Sequence, residues 1–233
     1  MNISWLQKLS LIDYPGKVAC VVFTPGCNLR CRFCHNPDFV LPERIEQIKD
    51  TFLWEKVFFA FIENRRGLLD AVSICWGEPT LQPWLIPFIK KVKSLGFLVK
   101  LDTNGRDPKL LQKIIDENLV DYIAMDVKHT WEKYPSLVWS VGDIGHYKES
   151  VEIIKNSEIE YEFRTTVIKW IHIDEDIRAI VNQVHGARKY VLQNYRSGEV
   201  LDAEFQGLPF TPTELYSFQS IAAHEVKSCT IRF

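Results

Sequence analysis

Six short, apolar, β-rich runs recur along this chain, and most are followed by a stretch with the spacing of an amphipathic helix. The runs span residues 18–24, 71–75, 97–101, 122–127, 161–167 and 189–193. Such alternation constrains the fold strongly, because parallel neighbours need a crossover long enough to hold a helix. Six units fall short of a closed eightfold barrel. The expectation is therefore an α/β fold, a partial (β/α)6 TIM-type barrel forming a single domain over residues 1–233, with an open doubly wound sheet as the alternative. Both architectures gather functional groups at the carboxyl ends of the strands.

The helical stretches carry readable ends. Thr51 is expected to cap a helix with apolar pairs Leu53/Trp54, Val57/Phe58 and Phe61/Ile62. Pro83 opens and Gly96 closes a second, and Asp107–Pro108 starts a third. Residues 146–156 read as a weaker helix, and Asp174 leads another that closes at Gly186. Thr211, Pro212 and Glu214 spell a capping box with proline in the first turn. Residues 129–145 form the longest irregular stretch, rich in aromatics.

Composition narrows the function classes. Net charge is −2, so no strong field for nucleic acid or anionic lipid is expected, and neither is a partner. The opening residues lack a basic n-region followed by a long apolar run, and no stretch has the length of a membrane span. A cytoplasmic location follows as an expectation. In such a reducing compartment six cysteines point to metal or catalysis rather than disulfides.

Each expected strand delivers polar groups at the same end. The first runs into "CNLRCRFCHN" (27–36), the second ends in "WGEPT" (76–80), the third in "DTNG" (102–105), and the fourth in "MDVK" (125–128). The fifth carries Arg164, and the sixth ends in "LQN" (192–194). Asp126 and Lys128 are two apart, so an extended chain turns both to one side. Taken singly, "TNG" reads as a turn, Asp-x-Lys as a solvated pair, and Cys20, Cys75 and Cys229 as inert thiols. Their convergence is the stronger signal. Three thiolates on a cubic iron–sulfur cluster would leave one iron open, as catalytic metal sites require. A zinc site on Cys27, Cys31, Cys34 and His35 in a non-enzymatic module is the competing reading, although adjacent residues diverge in direction on an extended loop.

Cys27-x3-Cys31-x2-Cys34, with Phe33 before the last cysteine, resembles the signature of the radical S-adenosylmethionine (SAM) superfamily. The resemblance implies a [4Fe–4S] cluster on the three cysteines in loop 25–36, and reductive cleavage of SAM to a 5′-deoxyadenosyl radical. It implies further that Phe33 and the backbone around His35 border the adenine. Gly77 and Glu78 would meet the methionine amino group; Thr103, Lys128 and Arg164 would hold the ribose and carboxylate. Asn36 and Gln193 complete the implied SAM contacts. Asp102 and Asp126 would place a monovalent cation beside the SAM carboxylate.

"LIDYPGKVACVVFTPGCNLRCRFCHNPD", "GEPTLQ", "KLDTNG", "YIAMDVK" and "YVLQNY" are similar to the anaerobic ribonucleoside-triphosphate reductase activating proteins. That likeness implies an oxidoreductase that abstracts a glycine Cα hydrogen in anaerobic ribonucleotide reductase, a glycyl-radical enzyme, with flavodoxin or ferredoxin as electron donor. The alternative is a deazapurine-synthase-like enzyme acting on a small molecule or nucleobase. No cysteine lies between Cys34 and Cys75 and only Cys229 follows, so a single cluster is expected, without ferredoxin insert or auxiliary-cluster domain. Trp76 stands where most relatives carry the first glycine of Gly-Gly-Glu. Ordinary β geometry is expected there, with the indole packed on a neighbouring strand.

Overall fold

The computed structural model describes residues 3–233. Among the described residues, ten strands and eight α-helices follow in this order: β1 (Trp5–Ser10), β2 (Ala19–Phe23), β3 (Arg30–Cys31), α1 (Pro42–Ile48), α2 (Glu55–Glu63), β4 (Ala71–Cys75), α3 (Leu85–Ser94), β5 (Leu98–Thr103), α4 (Pro108–Asp116), β6 (Tyr122–Asp126), α5 (Tyr134–Leu137), β7 (Val138–Trp139), α6 (Ile144–Lys155), β8 (Glu160–Val167), α7 (Asp174–Gln183), β9 (Tyr190–Asn194), α8 (Pro212–Ala222) and β10 (Cys229–Arg232).

Eight of the strands form one sheet in the order β1-β2-β4-β5-β6-β8-β9-β10. Every neighbouring pair is parallel except β1 with β2. The six expected strands are thus the middle of the sheet, and β1 and β10 extend it at each edge. β1 and β10 do not pair with one another, so the sheet is a partial barrel open between its edges. This is a single α/β domain.

Alternation sorts the strand residues. Val72, Ile74, Val99, Leu101, Ile123, Met125 and Phe163 share one buried core with Phe58, Phe88, Leu111, Ile114, Ile177 and Leu215 of the helices. The opposite face turns into the barrel, where Tyr14, Ala19, Ala71, Tyr122 and Ala124 make a separate apolar floor. The polar groups lie above that floor.

Local chemistry explains the helix starts. The Asp107 carboxylate accepts from Leu110 N–H at 3.0 Å. Thr211 and Glu214 form the expected reciprocal box. Thr51 does not cap α2. Its hydroxyl donates back to Ile48 O at 2.7 Å, and α2 begins at Glu55 because Leu53 is held extended by a bridge to Ile3. The helix expected from residue 146 starts at Ile144, where Asp143 accepts from Gly145 N–H.

Candidate active site

The carboxyl ends of the strands converge on a cavity of about 330 Å³. It opens beside a wider funnel of about 840 Å³, with which it shares Asp13, Asn36, Trp76, Arg164, Thr166 and Gln193. Cys27, Cys31 and Cys34 line the inner cavity, as do Asn36, Gly77, Glu78, Asp102, Thr103, Asp126, Lys128, Arg164 and Gln193. Two expected residues do not. Phe33 is buried, with its ring 6.4 Å from that of Phe205. His35 faces the outer funnel, its Nε2 2.5 Å from Arg196 O and its ring 5.2 Å from that of Tyr195.

The cysteine loop is clamped at several points. Gly26 N–H donates to Phe39 O, and Glu78 N–H donates to Gly26 O, both at 2.7 Å. Arg30 Nη1 donates to Cys27 O at 2.7 Å, and Arg106 Nη1 donates to Asn28 O at 2.6 Å. Leu201 N–H donates to Cys34 O at 2.8 Å. The irregular stretch after β6 supplies β7, which pairs with β3 inside the loop itself. Asn104 was missed by the sequence reading; its amide reaches Asn28 Oδ1 at 2.8 Å and lies 3.9 Å from Cys27 Sγ.

Burial pushes Cys27 up to about 12 and Cys31 up to about 11, and raises Cys34 as well. Thiolates at these positions need a nearby positive charge, which iron supplies on binding. Among the described residues no three His, Cys, Asp or Glu side chains converge on a single metal ion. His35 lines the outer funnel while the three thiols line the inner cavity, so the zinc reading lacks its fourth ligand beside them. Three thiols lining one cavity suit an iron–sulfur cluster, which takes thiolate ligands.

Gly77 has φ +54, and a Cβ there would meet Gly26 O at 2.3 Å and Thr24 O at 2.6 Å. Only glycine permits that approach. Trp76 departs from the expected β geometry: its φ is +63. The Thr24 hydroxyl donates to Trp76 O at 2.6 Å, and with the Glu78–Gly26 bond it fixes this left-handed pair. The strain, about 1–2 kcal/mol, is offset where the indole meets Phe23 at 4.7 Å and Phe39 at 5.9 Å. The indole thus packs on the neighbouring strand as expected, through Phe23, and the residue also lines both cavities.

The Glu78 carboxylate accepts four hydrogen bonds from protein donors. Oε1 accepts from Thr80 N–H (3.1 Å), Thr80 Oγ1 (2.6 Å) and Thr103 Oγ1 (2.9 Å), and Oε2 from Asn104 N–H (2.7 Å). Glu78 therefore ties the ends of β4 and β5 together. Its pKa is raised by burial, with the four donors acting against the shift.

Beside it runs a row of charges. Lys100 pairs with Asp102 Oδ1; Arg164 bridges Asp102 Oδ2 (2.7 Å) and Asp126 Oδ1 (2.8 Å); Lys128 pairs with Asp126 Oδ2 (3.1 Å). Burial opposes ionisation of the carboxylates, yet Arg164 with its lysine neighbours holds both below the usual range. Carboxylates depressed in this way add stability above their unfolded pKa, and it is lost as pH falls through the folded value. Arg164→Met should cost about 3–5 kcal/mol near neutrality. The difference from wild type should shrink as pH falls through the ordinary carboxylate range, as read by urea unfolding at a series of pH values.

Six of the seven tryptophans are exposed, and all map to the carboxyl-end face. Trp76, Trp139 and Trp170 follow β4, β6 and β8. Trp5 is in register with Phe23 at the end of β2, and Trp54 follows the Leu53–Ile3 bridge. Trp84 precedes α3 close to Gln82, whose amide donates to Pro25 O.

An open parallel barrel with three clamped thiols and a charged row at its mouth defines a β/α protein built around a cysteine-ligated metal centre. The model of the Radical SAM superfamily matches residues 21–184, and the chain belongs to that superfamily. Membership brings a [4Fe–4S] cluster and SAM as cofactors. The chain is 33% identical to a Methanocaldococcus jannaschii protein provisionally named as a glycyl-radical enzyme activating enzyme, over 99% of this chain and 95% of that one. It is 27% identical to the pyruvate formate-lyase-activating enzyme of Clostridium pasteurianum, over 80% and 77%. In fold it is similar to Streptococcus suis SuiB bound to its precursor peptide SuiA, with TM-score 0.68 and 13% identity, covering 91% of this chain and 48% of SuiB. Among the described residues no helix is long and apolar enough to cross a membrane.

Proposed function

We propose that this chain is a glycyl-radical enzyme activase whose protein substrate is an anaerobic ribonucleotide reductase. Cys27, Cys31 and Cys34 would hold the cluster, and the inner cavity, walled by the row Asp102–Arg164–Asp126–Lys128, would take SAM. Bound together and given one electron by an external donor, these cofactors would supply the hydrogen-abstracting chemistry, cleaving SAM to methionine and a 5′-deoxyadenosyl radical. The chain's own residues orient and shield. Glu78 braces the strand ends, and Gly77 admits the cysteine loop close to β4. Lys128 and Arg164 draw the SAM carboxylate to the wall, while Asn36, Thr103 and Gln193 line the remainder.

The observation that carries the reading is the junction of the inner cavity with the funnel of about 840 Å³. A macromolecular segment needs such an approach. The named activating enzymes among the relatives support it. The reducing equivalent comes from a flavodoxin- or ferredoxin-type donor. Six free thiols suit a reducing cytoplasm.

The test is anaerobic incubation of the reconstituted protein with SAM and a reductant, separately with the reductase and with pyruvate formate-lyase. A glycyl EPR doublet on the reductase, with matching 5′-deoxyadenosine, is the expected result. A doublet on pyruvate formate-lyase alone would reassign the partner. SAM turnover driven only by a small molecule or nucleobase would replace the activase reading.

A further inference from the structure

The resemblance to glycyl-radical activases implies a monovalent cation held by Asp102 and Asp126. The donor set of this chain does not fit one. All four carboxylate oxygens already face a cationic donor: Lys100 and Arg164 on Asp102, Arg164 and Lys128 on Asp126. Three cations against two carboxylates leave one surplus positive charge. A further cation would enter beside an ammonium and a guanidinium, where low dielectric strengthens the repulsion. A ligand carboxylate would instead bring the row to neutrality.

Lys100 is the unexpected member. It lies within β5, two residues before Asp102, and so shares its barrel-facing side one layer deeper. Its side chain is 3% exposed. A lysine so enclosed persists only where its charge is compensated, and Asp102 compensates it. On the next strand, in register with Lys100, the buried Ser73 hydroxyl has no hydrogen-bond partner. Carboxylate and hydroxyl oxygens are the ligands an alkali cation prefers. The ammonium sits on one such oxygen, Asp102 Oδ1, and the Ser73 hydroxyl stands in register with Lys100 without bonding to it.

We infer that Lys100 is a tethered substitute for a diffusible potassium or sodium ion, so that SAM binding by this chain needs no alkali metal. An ammonium carries the same single charge as potassium and has nearly its size. Lys100 acts through Asp102 and is a positioning residue. The inference rests on the SAM site proposed above.

The experiment measures SAM affinity of the reconstituted protein by anaerobic calorimetry in potassium, sodium and choline chloride at equal ionic strength. Wild-type affinity should vary by no more than about twofold across the three salts. Lys100→Met should bind about tenfold more weakly in choline chloride and recover to within about threefold in potassium chloride. A merely structural lysine would give a loss that potassium does not repair. Circular dichroism checks folding, and Lys100→Gln takes the place of a methionine variant that does not fold. The inference is overturned if wild-type affinity falls tenfold or more on replacing potassium by choline. It is equally overturned if the weakened variant ignores potassium. Absence of wild-type SAM binding in every salt would remove the SAM site itself, an outcome distinct from a salt effect.

Discussion

Replacing Cys27, Cys31 or Cys34 by alanine should abolish SAM cleavage and the visible absorbance of the cluster, while the far-ultraviolet circular dichroism stays close to wild type. The loop that carries these residues is held by backbone clamps from Phe39, Glu78, Leu201 and β7. None of those clamps uses a thiol, so the scaffold survives the loss of one. Cys20→Ala and Cys229→Ala provide the controls. Cys20 is buried in β2 on the side that faces the helices. Cys229 pairs in register with Tyr190, at the end of the barrel opposite the mouth. Cleavage at near-normal rate by any of the first three variants would refute the ligand assignment.

Glu78→Ala should be as destabilising as Arg164→Met, among the largest losses for a single change in the mouth. It strands two backbone N–H groups and two hydroxyls that share one buried carboxylate. At about 1–3 kcal/mol for each donor left without a partner, and with partial relaxation, the expected loss is about 3–5 kcal/mol in urea unfolding. SAM affinity should fall with it, because the ends of β4 and β5 lose their tie. The resemblance implied that this glutamate meets SAM directly, and the two roles separate cleanly. Stability within about 1 kcal/mol of wild type, with SAM binding gone, would favour direct contact over bracing.

The legible parts of this fold were those written locally. The middle strands are short runs of β-branched and aromatic residues between turn signals, and Asp107 and Thr211 announce their helices within three residues. The edge strands escaped because edges bury little: β1 reads WLQKLS with most positions exposed, and β10 has only four residues. Thr51 misled because the extended Phe52–Leu53–Trp54 segment is set by a long-range bridge to Ile3. At the site, the strand-end motifs identified most of the cavity wall. Lys100 went unnoticed although parity with Asp102 marks it: a lysine two residues before a buried aspartate on one strand points the same way. The left-handed backbone of Trp76 could not be read at all, since it is imposed by Thr24 and Gly26, some fifty residues away.

The placement of the tryptophans has an optical consequence. Six of the seven indoles are exposed on the carboxyl-end face, so most of the tryptophan of this chain lies on the face that the proposed protein substrate would cover. A partner settling there would remove several rings from water together and shift the emission toward the blue. A small ligand in the inner cavity would meet Trp76 and leave the other five in solvent. The protein thus carries its own reporter, one that tells docking apart from cofactor loading without any added label.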